Sequence, residues 1–206
     1  MMNGDELAAF LNSRCGKLTA SRMRTAMSFK KDGSPTAERA QLLKELLAER
    51  LTGHSVRHYV TPAMQFGLEM EDDAKAAYEA HTGEFLTQAG VFDHPRIDMF
   101  AATPDSLIPD GVVEFKVPTS PTYIEWCMRG EVPDEHKPQL LAQLACTGRS
   151  FAVFCAYEPR LRDPLRRLFI RRFEPTADEI AVVEEAAVQF LAELENMFRI
   201  FVEAAA

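Results

Sequence analysis

Runs of apolar positions along the chain predict helices at both ends and strands in the middle. Thr36 followed by Leu42, Leu43, Leu46, Leu47 and Leu51, and ended by Gly53, fits a capped amphipathic helix. Before it, Asp5 to Asn12 reads as a short helix, Thr19-Ala-Ser21 opens another through about Met27, and Lys30 to Pro35 is a polar loop. Thr61-Pro62 starts a longer helix that Gly83 ends. Strands are expected at about 85–93, 98–107 and 112–117, then helices at about 120–129 and 134–147 closed by Gly130 and Gly148. Phe151–Tyr157 and Arg167–Phe173 read as further strands. A last helix opens with the capping-box pair Thr176 and Glu179. Helices flanking a small mixed sheet define an α/β sandwich, and 206 residues suit one domain.

Composition changes that picture little. Hydrophobic residues make up 47% and charged residues 26%, ordinary for a globular chain. No stretch approaches the ~20 apolar residues that span a bilayer, and no signal-peptide pattern opens the chain, so cytoplasm is the default expectation. Cys15, Cys127, Cys146 and Cys155 are scattered and read as mostly buried thiols, not a disulfide or zinc framework. Net charge is −8, yet Arg14, Lys17, Arg22, Arg24, Lys30 and Lys31 form a stretch without an acid. Such a patch can hold a phosphate backbone on an acidic protein, or be a solvated helix face.

The candidate chemistry lies in Thr103-Pro-Asp105 and Glu114-Phe-Lys116, joined across the turn signal Pro109-Asp110-Gly111. Strand alternation puts Glu114 and Lys116 on one face and Phe115 on the other. Two acids and an amine between apolar strands cost free energy unless something uses them. Oxygen ligands from Asp105, Glu114 and the Phe115 carbonyl suit Mg²⁺, with Mn²⁺ able to substitute, and Lys116 would then stand beside an attacking water. A cation beside it would lower the Lys116 pKa and let it act as a base. The competing reading is a surface hairpin with an exposed Glu114–Lys116 pair. Upstream, Glu71, Ala74, Ala77 and Tyr78 recur at helical spacing, so Glu71 turns inward while Glu69, Asp72 and Asp73 face solvent.

Together these segments resemble the lambda exonuclease or YqaJ-type viral recombinase family, nucleases of the restriction-endonuclease-like fold. The resemblance runs through Arg14-Cys-Gly-Lys-Leu-Thr-Ala-Ser21, Gly67-Leu-Glu-Met-Glu71, Thr103-Pro-Asp105, Glu114-Phe-Lys116-Val-Pro118, the Gln139 helix and Tyr157-Glu-Pro-Arg160. It implies a 5′→3′ exonuclease of phage type that digests one strand of duplex DNA with two Mg²⁺ ions, leaving 3′ overhangs for a single-strand annealing partner. It implies that Asp105, Glu114, the Phe115 carbonyl and Glu71 serve the metal, that Lys116 positions the nucleophile and that Gln139 orients the network. By the same resemblance Arg14, Ser21 and Thr103 bind the 5′-phosphate, Lys17 and Lys31 lie near DNA, and the assembly is a homotrimeric ring. Cys15 stands where the family often has an aromatic, and the match at Lys31 is loose. An endonuclease or single-strand exonuclease on the same fold, or a silent DNA-binding scaffold, remains the alternative.

Other features weigh less. His54 and His58 lack a third ligand nearby. Tyr123 and Trp126 read as core aromatics, and Glu184, Glu185, Glu193 and Glu195 as the solvent face of the last helix. The basic stretch from Arg162 to Arg172 either lines a DNA channel or keeps an exposed sheet edge soluble.

Overall fold

One helix, buried on nearly every side, separates two sheets. The computed structural model describes Ala9, residues 12–56 and residues 61–204, so the helix expected from Asp5 to Asn12 lies mostly outside the described residues, as does His58. The chain runs through β1 (Leu18–Thr19), a 3-10 turn (Ala20–Arg22), α1 (Met23–Ala26) and α2 (Ala37–Thr52). It continues through α3 (Pro62–Glu69), α4 (Glu71–Thr82), β2 (Thr87–Gln88), β3 (Phe92–Asp93), β4 (Phe100–Ala102), β5 (Ser106–Ile108) and β6 (Gly111–Lys116). Then follow α5 (Ser120–Arg129), α6 (Lys137–Thr147), β7 (Phe151–Tyr157), β8 (Leu168–Phe173) and α7 (Ala177–Ala204).

Strands β2-β5-β6-β7-β8 form a mixed five-stranded sheet in which β6 and β7 are parallel and the other pairs antiparallel. Strands β1-β4-β3 form a second, three-stranded sheet. Helix α6 lies between them. Leu140 and Leu144 pack with Trp126 of α5 and with Val112 and Phe154 of the larger sheet, while Leu141, Ala142 and Cys146 join Leu18, Leu46, Phe100 and Phe190 beneath the smaller one. On the other face of β6, Phe115 meets Tyr78 of α4 edge-on at 5.8 Å. Tyr123 and Trp126 are core aromatics, as expected.

Several elements end where the sequence signals said. Thr36 Oγ1 accepts the Arg39 amide at 3.2 Å, and Gly53 closes α2 with φ +70°. Thr176 and Glu179 cap α7 reciprocally, at 2.8 and 3.2 Å. Two expectations need correction. The helix read from Thr61 to Gly83 breaks at Met70 into α3 and α4. The strands read at 85–93 and 98–107 each split, at Gly90 and at Thr103–Asp105, and pass from one sheet to the other. Pro104 has no amide hydrogen to continue the ladder there. On α7, Glu185, Glu193 and Glu195 are exposed as expected and Glu184 is half-buried; Glu193 also pairs with buried Arg39, Glu195 with Arg50, and Glu184 with His94 and Arg96.

The thiols carry no disulfide; Cys146 and Cys155 are buried, Cys15 is half-buried and Cys127 is exposed. Among the described residues no helix is long and apolar enough to cross a membrane.

Candidate active site

Pro109 and Asp110 form the bend between β5 and β6, with Ile108 paired to Gly111. Asp110 takes the left-handed conformation, φ +56°, which a short polar side chain tolerates better than most. The hairpin brings Asp105, just before β5, against the far end of β6. There Asp105 Oδ2 accepts the Phe115 amide at 2.7 Å.

Glu114 is only 2% exposed, which rules out the surface ion pair as the reading of this hairpin. Its Oε1 accepts Gln139 Nε2 at 2.6 Å and is paired with Lys116 Nζ. Its Oε2 accepts Gln143 Nε2 at 2.6 Å. Gln139 and Gln143 stand one turn apart on α6, so one helix face fixes both oxygens of one carboxylate. The spacing Gln-x-x-x-Gln among leucines was the available signal for Gln143, which the motif reading passed over.

The charges are strongly coupled. Burial first, then the charge of Glu114, push Asp105 up to about 8, with Glu71 adding to the rise. Burial pulls Lys116 down, but Glu114 and Asp105 outweigh it and hold its pKa above the ordinary lysine value. Lys116 therefore keeps its proton more tightly than an ordinary lysine, and the lowering expected beside a cation belongs to the metal-bound site. His136, on the same side as Lys116, is driven down to about 4, by burial first and then by Lys116.

Glu71 reaches this cluster only through its charge. It opens α4, is 34% exposed, and its Oε1 lies 2.6 Å from Lys75 Nζ. Ala74 and Tyr78 are buried as expected, and Glu69, Asp72 and Asp73 are exposed. Among the described residues no three acidic, histidine or cysteine side chains are gathered closely enough to grip an ion as they stand, His54 included. Asp105 and Glu114 converge; Glu71 does not join them.

The residues matched to 5′-phosphate binding sit at one end of the smaller sheet. Arg14, Lys17, Thr19, Arg22 and Glu49 line a cavity of ≈ 180 Å³. Ser21 is exposed and touches it through Thr19, their hydroxyls 3.4 Å apart. Thr19 pairs with Ala101 of β4 in parallel register, which places Ser21 and Thr103 at the same sheet end. Thr103 Oγ1 is buried without a hydrogen-bond partner among the described residues. Lys17 is held by Asp93 at 2.6 Å, and Lys31 is exposed in the loop before α2. At the end of β7, Glu158 is held by Arg160, whose guanidinium lies over the Phe66 ring at 5.0 Å. On edge strand β8, Arg171 reaches the Gly130 carbonyl at 2.6 Å and Arg172 lies over Phe151.

The sequence model of the YqaJ-like viral recombinase domain matches residues 9–150. Among solved structures, the alkaline exonuclease LHK-Exo from Laribacter hongkongensis is 37% identical, with TM-score 0.88 over 96% of this chain and 97% of that one. LHK-Exo in complex with dAMP gives TM-score 0.89 at the same identity and coverage. A phage-related exonuclease from Haemophilus somnus 129PT shares the fold at TM-score 0.61 and 13% identity, over 88% of this chain and 96% of that one. No curated protein matches the chain.

Proposed function

The chain belongs to the YqaJ-like viral recombinase family, and from that membership we propose a DNA exonuclease that digests duplex ends 5′→3′ with Mg²⁺. Its core is restriction-endonuclease-like, and its family and its likeness to an alkaline exonuclease make it a metal-dependent, DNA-hydrolysing nuclease. One observation carries the reading: Asp105 and Lys116 stand at the carboxylate of Glu114, which two glutamines hold in a single orientation.

The donor set fits a divalent cation. Burial first, and the charge of Glu114 next, raise Asp105 to about 8, a penalty that a bound cation would offset. Hard oxygen donors without a thiol or imidazole suit Mg²⁺, with Mn²⁺ as substitute. Asp105, Glu114 and the Phe115 carbonyl would hold it, and Glu71 would support a second ion through water. When bound, such a cation supplies an acidified water and charge compensation.

The chain's own residues supply the rest. Gln139 and Gln143 keep Glu114 from turning away, so the carboxylate need not reorganise during the reaction. Lys116 holds the attacking water and offsets the negative charge that grows on the phosphate. The water oxygen gives up a proton to solvent and bonds to phosphorus as the bond to the 3′-oxygen breaks, and that oxygen leaves with a proton from solvent. The shortened strand again begins with a 5′-phosphate, which Arg14, Ser21 and Thr103 would receive. A deoxynucleoside monophosphate bound by LHK-Exo supports a product of this kind. A homotrimeric ring and an annealing partner that takes up the 3′ overhang complete the proposal.

A linear duplex with one 5′ end blocked, compared with a closed circle and with and without Mg²⁺, tests it. Digestion should need Mg²⁺, start at the open 5′ end, release mononucleotides and spare the circle. Cutting of the circle would replace the exonuclease with an endonuclease. Digestion from 3′ ends would overturn the polarity. Tight DNA binding without any digestion would leave a silent scaffold.

A further inference from the structure

The cavity beside Arg14 has a buried acid in its wall. Glu49, in the last turn of α2, is 3% exposed. A carboxylate weakens an anion site by its charge, so its presence here needs a reason. Its contacts supply one. Oε2 accepts the Gly16 amide at 2.8 Å and Oε1 the Val56 amide at 3.1 Å, while Arg22 Nη2 stands 3.6 Å from Oε1.

The next residue on α2 completes a clamp. Arg50 Nε donates to the Gly16 carbonyl at 3.2 Å. Gly16 has φ +69°, and a Cβ there would lie 2.8 Å from Arg50 Cγ, so any other residue is strained and crowds Arg50. Glu49 and Arg50 therefore fix the turn from which Arg14 and Lys17 depart. Lys17 is tied to Asp93, while Arg14, Arg22 and Glu49 share the wall of the cavity. Burial first, and the charge of Arg22 next, pull Arg14 below its ordinary value, while Glu49 opposes them.

We propose that Arg22, held in place by Glu49, is a second arginine of the site that reads the terminal 5′-phosphate, and that Glu49 is its positioning residue. The inference rests on the reading of the Arg14 cavity as that site. Thr19 and Ser21 add hydroxyls at the same place, and a phosphomonoester takes a guanidinium fork on each side. Glu49 then acts twice, fixing the Gly16 turn and keeping the two arginines from repelling each other apart in the absence of DNA.

The test uses Glu49→Gln, Arg22→Gln and Arg14→Gln on matched duplexes bearing 5′-phosphate or 5′-hydroxyl ends, with kcat, KM and melting temperature measured for each. R22Q and E49Q should raise KM on phosphorylated ends about tenfold, the loss expected for one charge-assisted hydrogen bond. The effect should fall on KM more than on kcat and shrink the preference for phosphorylated ends. A Glu49 that only stabilises the fold would lower melting temperature and depress both substrates alike. That result, or an R22Q protein with wild-type end preference, overturns the inference. Should E49Q fail to fold, R22Q decides, because it leaves the Gly16 and Val56 amides with their acceptor. Arg14→Gln separates the two readings. If R14Q loses end preference and R22Q keeps it, this inference falls and the pocket stands; if R14Q keeps it, both fall.

Discussion

Glu114 shows how a buried charge is made useful here. Three donors, Gln139, Gln143 and Lys116, share its two oxygens, so the carboxylate is desolvated without being left unpaired. Gln143 is wholly buried, and its own Oε1 has no partner among the described residues, so it is placed for what its amide nitrogen does. Gln143→Leu, close in volume, removes that donor from Glu114. The Mg²⁺ concentration for half-maximal digestion should then rise about tenfold, as for other residues that orient a metal ligand. An unaltered Mg²⁺ requirement would reduce Gln143 to packing. Asp105 gives a second test, by pH. Its pKa is raised to about 8 in the fold, so the folded state binds more protons there than the unfolded chain over the interval up to that value. Stability contributed by this group is therefore present at low pH and is lost as pH rises from its ordinary carboxyl range through about 8. In chelator, Asp105→Asn should melt above wild type at pH near 8, and the gap should narrow toward pH ~5. A gap that widens on acidification would reverse the sign and deny the burial argument.

The hairpin that carries Asp105 and Glu114 was legible because its signals are local. Pro109-Asp110 needs only its own backbone to bend, and Gly53, Gly130, Gly148 and Thr176 act within a turn of the helices they bound. What the sequence hid is where strands go after they form. Alternation gives one strand at 98–107, yet Ala102 pairs in one sheet and Ser106 in the other. Only tertiary partners distinguish these, and the crossing at Thr103–Asp105 is what aims Asp105 at β6. The break at Met70 carries neither proline nor glycine, so helical periodicity ran through it. Glu49 looked like any acid of an amphipathic helix, because its role depends on Gly16 and Val56, which lie outside that helix. Close packing at the hairpin base is testable. A Cβ on Gly111 would lie 2.4 Å from Phe151 Cε2, inside a buried ring. Gly111→Ala should cost ~1–3 kcal/mol by overpacking. Adding Phe151→Leu should cost less in the G111A protein than in wild type, a coupling that denaturant titration of the four proteins measures. Additive costs would mean that the ring and the new methyl do not meet.

Across the molecule, acids of the C-terminal helix bind bases from earlier in the chain: Arg39 holds Glu193, Arg50 holds Glu195 and Arg96 holds Glu184. The net charge of −8 thus says little about the face that meets DNA. Within the basic stretch from Arg14 to Lys31 the side chains have separate fates. Arg14 and Arg22 line the cavity, Lys17 is tied to Asp93, and Arg24, Lys30 and Lys31 are exposed. A lysine already neutralised by an acid releases few counterions when a phosphate arrives, whereas an exposed one contributes nearly a full unit to the salt dependence. Binding of end-blocked duplex in chelator, followed by anisotropy from about 50 to about 200 mM salt, resolves the two cases. Lys31→Gln should reduce the slope of log affinity against log salt by about one, and Lys17→Gln by clearly less. Equal slopes for wild type and K31Q would place Lys31 off the DNA path. A larger loss for K17Q than for K31Q would mean that DNA displaces Asp93 from Lys17, moving the track toward β3 and away from the loop before α2.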